Sequence, residues 1–238
     1  MLPHTHRMPK CLLDVGGESI LAFQVRHFLE AGLQEVLVVT GFGAQQVRDA
    51  LDGQPELRWV HNLDHATTNS LASLALAREA LGGRSFLLCN GDVLFHPGIL
   101  EGLLQAPGAS ALTLDREGGR GEEEMKVRVS DGRVSLISKE IPGEESDGEN
   151  LGLLRFGARG GELLLEVARR LVEEGSQNQW APYAYNQVIL QEPIHVVEVG
   201  GLPWIEIDTP EDLELARREI HPRCIAGAAE RGHGGRRS

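Results

Sequence analysis

Three short strand-like runs constrain this chain most: Val36-Leu37-Val38-Val39, Leu57-Arg58-Trp59-Val60 and Ser85-Phe86-Leu87-Leu88-Cys89. The first lacks the polar alternation of a strand with one wet face, so it is expected to be buried on both faces of a parallel sheet, and the other two read as the second and third strands. Between them the period changes. Ile20, Leu21, Val25, Phe28 and Leu29 recur at helical spacing until Gly32, and a helix is expected over 44–51 after Gly41-Phe42-Gly43. Leu71, Leu74, Ala75, Arg78 and Leu81 describe one further helix closed by Gly82-Gly83. Strand and helix alternate as in βαβ units.

From about residue 105 the pattern is mixed. Strands are expected over 109–114, 125–130, 133–138, 151–156 and 195–199, and helices near 161–174 and 181–191. Asp131-Gly132 sits between two strand-like runs and is a strong type I′ hairpin signal. The Gly- and Glu-rich segment 116–124 reads as a mobile loop, and 142–149 as a second acidic loop. The expected fold class is therefore α/β, Rossmann-like, with a mostly parallel sheet flanked by helices and a mixed α+β portion. Its 238 residues suit one domain over 1–222. The Arg- and Gly-rich stretch 223–238 is expected to be a disordered tail.

The net charge of −12 argues against a general nucleic-acid or anionic-membrane surface and leaves room for a local phosphate pocket. No apolar run reaches the length of a membrane span, and residues 1–20 show no signal-peptide pattern, so a cytoplasmic protein is expected. Cys11, Cys89 and Cys224 are odd in number and widely spaced, and they read as reduced thiols.

Candidate functional residues stand at strand ends. Asp92 follows an apolar strand and Asn90-Gly91, where doubly wound sheets present side chains to ligands; a turn Asp satisfying its own backbone is the plainer alternative. Glu206 and Asp208 are two apart on an extended segment and project from one face, a pairing that suits Mg²⁺. Asp208 or Thr209 also fits a helix cap, with Pro210 in the first turn and Asp212 completing a capping box. Lys10 and Lys139 each precede or end an apolar segment and taken singly read as solvated. Trp180, Tyr183, Tyr185 and Trp204 concentrate aromatic surface, either as core or, with Glu149, as a site for an ammonium group.

The order Pro9-Lys10-x-Leu-Leu-x-Val-x-Gly, Thr68-Asn69-Ser70-x-x-Ser73-Leu74, Asn90-Gly91-Asp92, Ile137-Ser138-Lys139, Glu149-Asn150-Leu151-Gly152 and Trp204-x-Glu-Ile-Asp-Thr-Pro-Glu-Asp-Leu resembles nucleotidyltransferases of the sugar-phosphate and phosphocholine cytidylyltransferase type, with a MobA-like NTP transferase domain. The resemblance runs from residue 5 to about 220. It implies transfer of NMP from an NTP, CTP by preference, to a small phosphorylated alcohol such as phosphocholine. Asp92 and Asp208 would hold Mg²⁺ with help from Glu206, and Lys10 would face the phosphates. Asn69, Ser70, Ser73 and Gly91 would contact the nucleotide and Lys139 and Glu149 the acceptor, to which the ammonium reading adds Trp180, Tyr183 and Trp204. A homodimer is compatible with it.

One departure stands out. Proteins of this type carry a strand and a Gly-rich phosphate loop before the Pro-Lys motif, whereas here Met1-Leu2-Pro3-His4-Thr5-His6-Arg7 precedes it. A chain without that strand is expected to lose a central sheet member, with weak activity and poor stability. A sugar-1-phosphate nucleotidyltransferase and a catalytically silent nucleotide-binding domain are the alternatives.

Overall fold

The computed structural model describes residues 7–118 and 121–231. The Ser19 hydroxyl caps α1 (Ile20–Glu30) by accepting from the Ala22 N–H at 3.2 Å. Gly32, at a φ of 91°, closes the turn that follows. The chain then forms β1 (Val36–Thr40), α2 (Ala44–Ala50) and β2 (Leu57–His61). β1 and β2 pair in parallel from Val36 opposite Leu57 to Thr40 opposite His61, as their apolar runs predict. The helix expected over 71–81 is two, α3 (Ser70–Leu76) and α4 (Arg78–Leu81), with the break at Ala77.

Beyond them come β3 (Phe86–Cys89), β4 (Val93–Phe95), α5 (Pro97–Gln105), β5 (Ser110–Asp115), β6 (Lys126–Ser130), β7 (Arg133–Ser138) and β8 (Gly148–Phe156). Asp131 and Gly132 both take positive φ, at 51° and 72°, as a type I′ turn requires. The remaining elements are α6 (Ala158–Glu173), α7 (Pro182–Val188), β9 (Ile194–Glu198), β10 (Trp204–Glu206), α8 (Pro210–Leu215) and α9 (His221–Arg231).

The α/β class stands, and the sheet within it is mixed. Six strands lie in the order β3-β8-β5-β9-β7-β6. Among the described strands, parallel pairing joins β1 with β2 and β5 with β9, and the nine-residue β8 runs antiparallel between β3 and β5. The largest core lies between this sheet and α3, α6 and α7, with Leu112, Leu114, Leu154, Phe156, Leu164 and Tyr185 almost wholly excluded from solvent. Burial on this scale is the main favourable contribution to folding.

Among the described residues, one edge of β1 and one edge of β3 have no strand partner. Both edges line a cavity of about 700 Å³, covered by Leu21, Gln24 and Phe28 of α1 and by Leu74 and Ala77. The apolar side chains of these two strands are only half-buried in consequence.

The tail expected from residue 223 needs correction. Residues 221–231 continue as α9 through a π turn at Ala216–Ile220, and Cys224 is fully buried beside Leu13, Phe23 and Leu94. Residues 232–238 lie outside the described part. No helix among the described residues is long and apolar enough to cross a membrane.

Candidate active site

Asn90-Gly91-Asp92 links β3 to β4, and three devices fix its path. Gln24, 2% exposed on the inner face of α1, donates from its amide to the carbonyls of Asn90 and Val93, at 2.8 Å each. The Asn90 N–H donates to the Gly152 carbonyl at 2.9 Å. A Cβ at Gly152, whose φ is 76°, would come within 2.4 Å of the Asn90 amide nitrogen, so this strand position requires glycine.

Asp208 is held from the other side. β10 pairs antiparallel with β4, placing Glu206 opposite Val93, and the Ile207 N–H donates to the Asp92 carbonyl at 3.0 Å. The Asp212 carboxylate then accepts from the N–H groups of Asp208 and Thr209 at 3.0 and 2.7 Å, while the Thr209 hydroxyl accepts from the Asp212 N–H at 3.1 Å. The capping box is therefore present, and it orients the Asp208 side chain rather than competing with it.

As a result Asp92, Glu206 and Asp208 each offer a carboxylate oxygen, all within 4.8 Å of one another. Lys10, on a single 3₁₀ turn at Lys10–Leu12, donates to Asp92 at 2.8 Å and to Asp208 at 2.6 Å. Burial disfavours the Lys10 ammonium, but the two carboxylates outweigh it and raise its pKa. Glu206 is pushed up to about 7, first by burial and then by repulsion from Asp92 and Asp208, against the pull of Lys10 and Lys139. Three crowded carboxylates with one cation between them form a hard-oxygen donor set that fits Mg²⁺.

Two thiols, Cys11 and Cys89, lie beside this cluster. Burial pushes Cys11 up to about 11 and raises Cys89 further, so both stay protonated at neutral pH.

The other expected site residues are dispersed. Gly91 lines a smaller pocket of about 400 Å³ with Met8, Pro9, Lys10, Cys11, Phe42 and Asp92. Ser70 and Ser73 border the large cavity instead. Asn69 caps α3, the Ser70 hydroxyl accepts from the Ala181 N–H at 2.8 Å, and Asn62 donates to Ser73 at 3.3 Å. Lys139 lies 5.3 Å from the Trp180 ring centre and 3.1 Å from Glu123. Trp180 and Tyr183 are about half exposed.

The four aromatic residues do not form one group. Tyr185 is 2% exposed and packs on Phe156 in the core. Trp204 packs in a different apolar cluster and donates from its indole to Asp115 at 2.8 Å. Glu149 stands opposite Asp115 and Lys126 in the sheet, against Gly118. Sequence reasoning missed Gln24, whose one signal is an amide among the mostly apolar residues on the buried face of α1.

Comparison with known proteins places the chain by sequence and by fold. The sequence model of the MobA-like NTP transferase domain matches residues 5–206. The CMP-5'-(3-aminopropyl)phosphonate synthase of Streptomyces rubellomurinus is 34% identical over 96% of the chain and 38% of its own length. The bifunctional IPC transferase and DIPP synthase of Aquifex aeolicus is 25% identical over 96% of the chain and 50% of its own length. The chain thus spans half or less of these two relatives. Among solved structures, the inositol-1-phosphate CTP transferase of T. maritima superposes with a TM-score of 0.74 at 19% identity, covering 94% of this chain and 90% of that one. The CTP:phosphocholine cytidylyltransferase of Streptococcus pneumoniae follows at 0.71 and 20%, covering 91% and 92%. These two likenesses establish the fold.

Proposed function

The chain belongs to the MobA-like NTP transferase family, and from that premise we propose that it transfers CMP from CTP to a small acceptor bearing a phosphate or phosphonate and an ammonium end, releasing pyrophosphate. The observation that carries this reading is the meeting of Asp92, Glu206, Asp208 and Lys10 at one sheet edge. Support for the acceptor comes from the 34% identical relative, named for a CMP-aminopropylphosphonate product, and from Lys139, whose charge acts on Glu206 and which lies against Trp180.

The reaction joins two anions that repel each other, so catalysis is chiefly positioning and charge neutralisation. An acceptor oxygen attacks the α-phosphorus in line, the new P–O bond forms, and the bond to pyrophosphate breaks. Asp92 and Asp208, with Glu206, would hold Mg²⁺, which neutralises phosphate charge. Lys10 is placed to turn its ammonium toward the phosphates. Lys139 would take the acceptor's anionic end, and the exposed face of Trp180 its ammonium. No side chain is required as a covalent nucleophile.

Pyrophosphate release from each of four NTPs, against phosphocholine, 3-aminopropylphosphonate, inositol 1-phosphate and glucose 1-phosphate, tests the proposal. Turnover with CTP and an amine-bearing acceptor is expected. A preference for the hexose 1-phosphate would reject the ammonium subsite, and no turnover with any pair would favour a silent nucleotide-binding domain.

A further inference from the structure

The Lys10 ammonium lies where a cation bridging Asp92 and Asp208 would lie, 2.8 and 2.6 Å from their oxygens. Magnesium needs those same oxygens at about 2.0–2.1 Å. Two positive charges cannot share that position, because like charges a few ångströms apart repel strongly where water is partly excluded. Lys10 also has a way out. Its side chain is 25% exposed, and the 400 Å³ pocket bounded by Met8, Pro9, Phe42 and Gly91 opens beside it. Rotation about the flexible side-chain bonds of Lys10 would carry the head group toward that pocket.

We propose that Lys10 is an internal counter-ion that keeps a divalent cation off the three carboxylates until a polyphosphate draws the ammonium away, so that metal and nucleotide enter together. This rests on reading the carboxylates as the metal site. In the free protein Lys10 lowers metal affinity, and with nucleotide bound the same charge moves to the phosphates and the carboxylates are released. The exchange couples the two ligands through one side chain, a differential interaction of the kind that linkage requires.

The test is Mn²⁺ binding to the nucleotide-free protein, read by loss of the free-ion paramagnetic resonance signal. Lys10→Met is expected to bind Mn²⁺ at least tenfold more tightly than wild type, while Lys10→Arg, which keeps the charge, stays as weak as wild type. A larger Mn²⁺-induced rise in Tm for Lys10→Met than for wild type is the second readout and shows that the variant is folded. Equal affinities for all three proteins would overturn the counter-ion role and leave the metal site standing. Adding Asp208→Asn to Lys10→Met is expected to abolish the gained binding; tight binding that survives it would place the ion elsewhere and remove the metal-site reading itself.

Discussion

Glu206 is where burial and like charge act together against ionisation. Its ordinary carboxyl pKa is 4.5, and in the folded chain it is pushed up to about 7. The native state therefore holds this proton more tightly than the unfolded state does, so its contribution to stability is full below 4.5 and is lost as pH rises through 7. Because the site is partly open to water, the effect is discounted to about 1 kcal/mol. Glu206→Gln cannot ionise, and in metal-free buffer at pH 7.5 it is expected to melt about 2–4 °C above wild type. Thermal melts from pH 4.5 to 8 in a chelator decide it, since parallel curves for the two proteins would exclude the effect. Asp208 is 65% exposed. Asp208→Asn is accordingly expected to leave Tm within about 2 °C while lowering kcat/KM by about 100-fold or more, measured by pyrophosphate release. The four residues of this cluster were legible because they fall in an order of motifs, the three carboxylates at or just beyond strand ends and Lys10 on the 3₁₀ turn after Pro9. Trp204 was not, since a concentration of aromatics along the sequence says nothing about the sheet face each one takes.

Short elements, more than long ones, hold the carboxylates in place. The cap at Thr209 satisfies the start of a six-residue helix and aims Asp208 in the same stroke. Thr209→Ala is expected to cost about 1 kcal/mol in a denaturant titration and to weaken Mn²⁺ binding, whereas an unchanged affinity would show the cap to be purely structural. Gln24→Leu would leave the Asn90 and Val93 carbonyls without their donor in a dry site, a loss of about 1–3 kcal/mol that also frees the Asp92 loop. The hairpin at Asp131-Gly132 and the apolar β1 were readable because turn chemistry and period are local. β4 was not, as three residues are too few to show a period and its role depends on β10, more than a hundred residues away. The break at Ala77 and the burial of Cys224 likewise depend on packing partners that local sequence does not reveal.

At the scale of the whole molecule, the paired strands β1 and β2 stand apart from the six-stranded sheet, and the cavity of about 700 Å³ lies where their unpaired edges face. Unpaired backbone donors and acceptors along two apolar strands favour pairing with further chain. The first described residues lie at the carboxyl end of both edges, since Met8, Pro9 and Lys10 share a pocket with Phe42, just after β1, and Gly91, just after β3. A segment running parallel to both strands would emerge beside Lys10. A chain lengthened at its amino end by five extended apolar residues and a Gly-rich loop is therefore expected to fill the cavity and join the two sheets. Each apolar side chain so buried contributes about 1.5–3 kcal/mol against about 1.5 kcal/mol per residue ordered. A net gain of about 2 kcal/mol would raise Tm by about 4–8 °C in a chain of this length. The KM for CTP should fall as well, because backbone N–H groups of the loop would reach the phosphates beside Lys10. Melting and steady-state kinetics on the two lengths decide the matter: equal Tm and equal KM would mean that the cavity is a stable feature of the fold, with its strand edges satisfied by water.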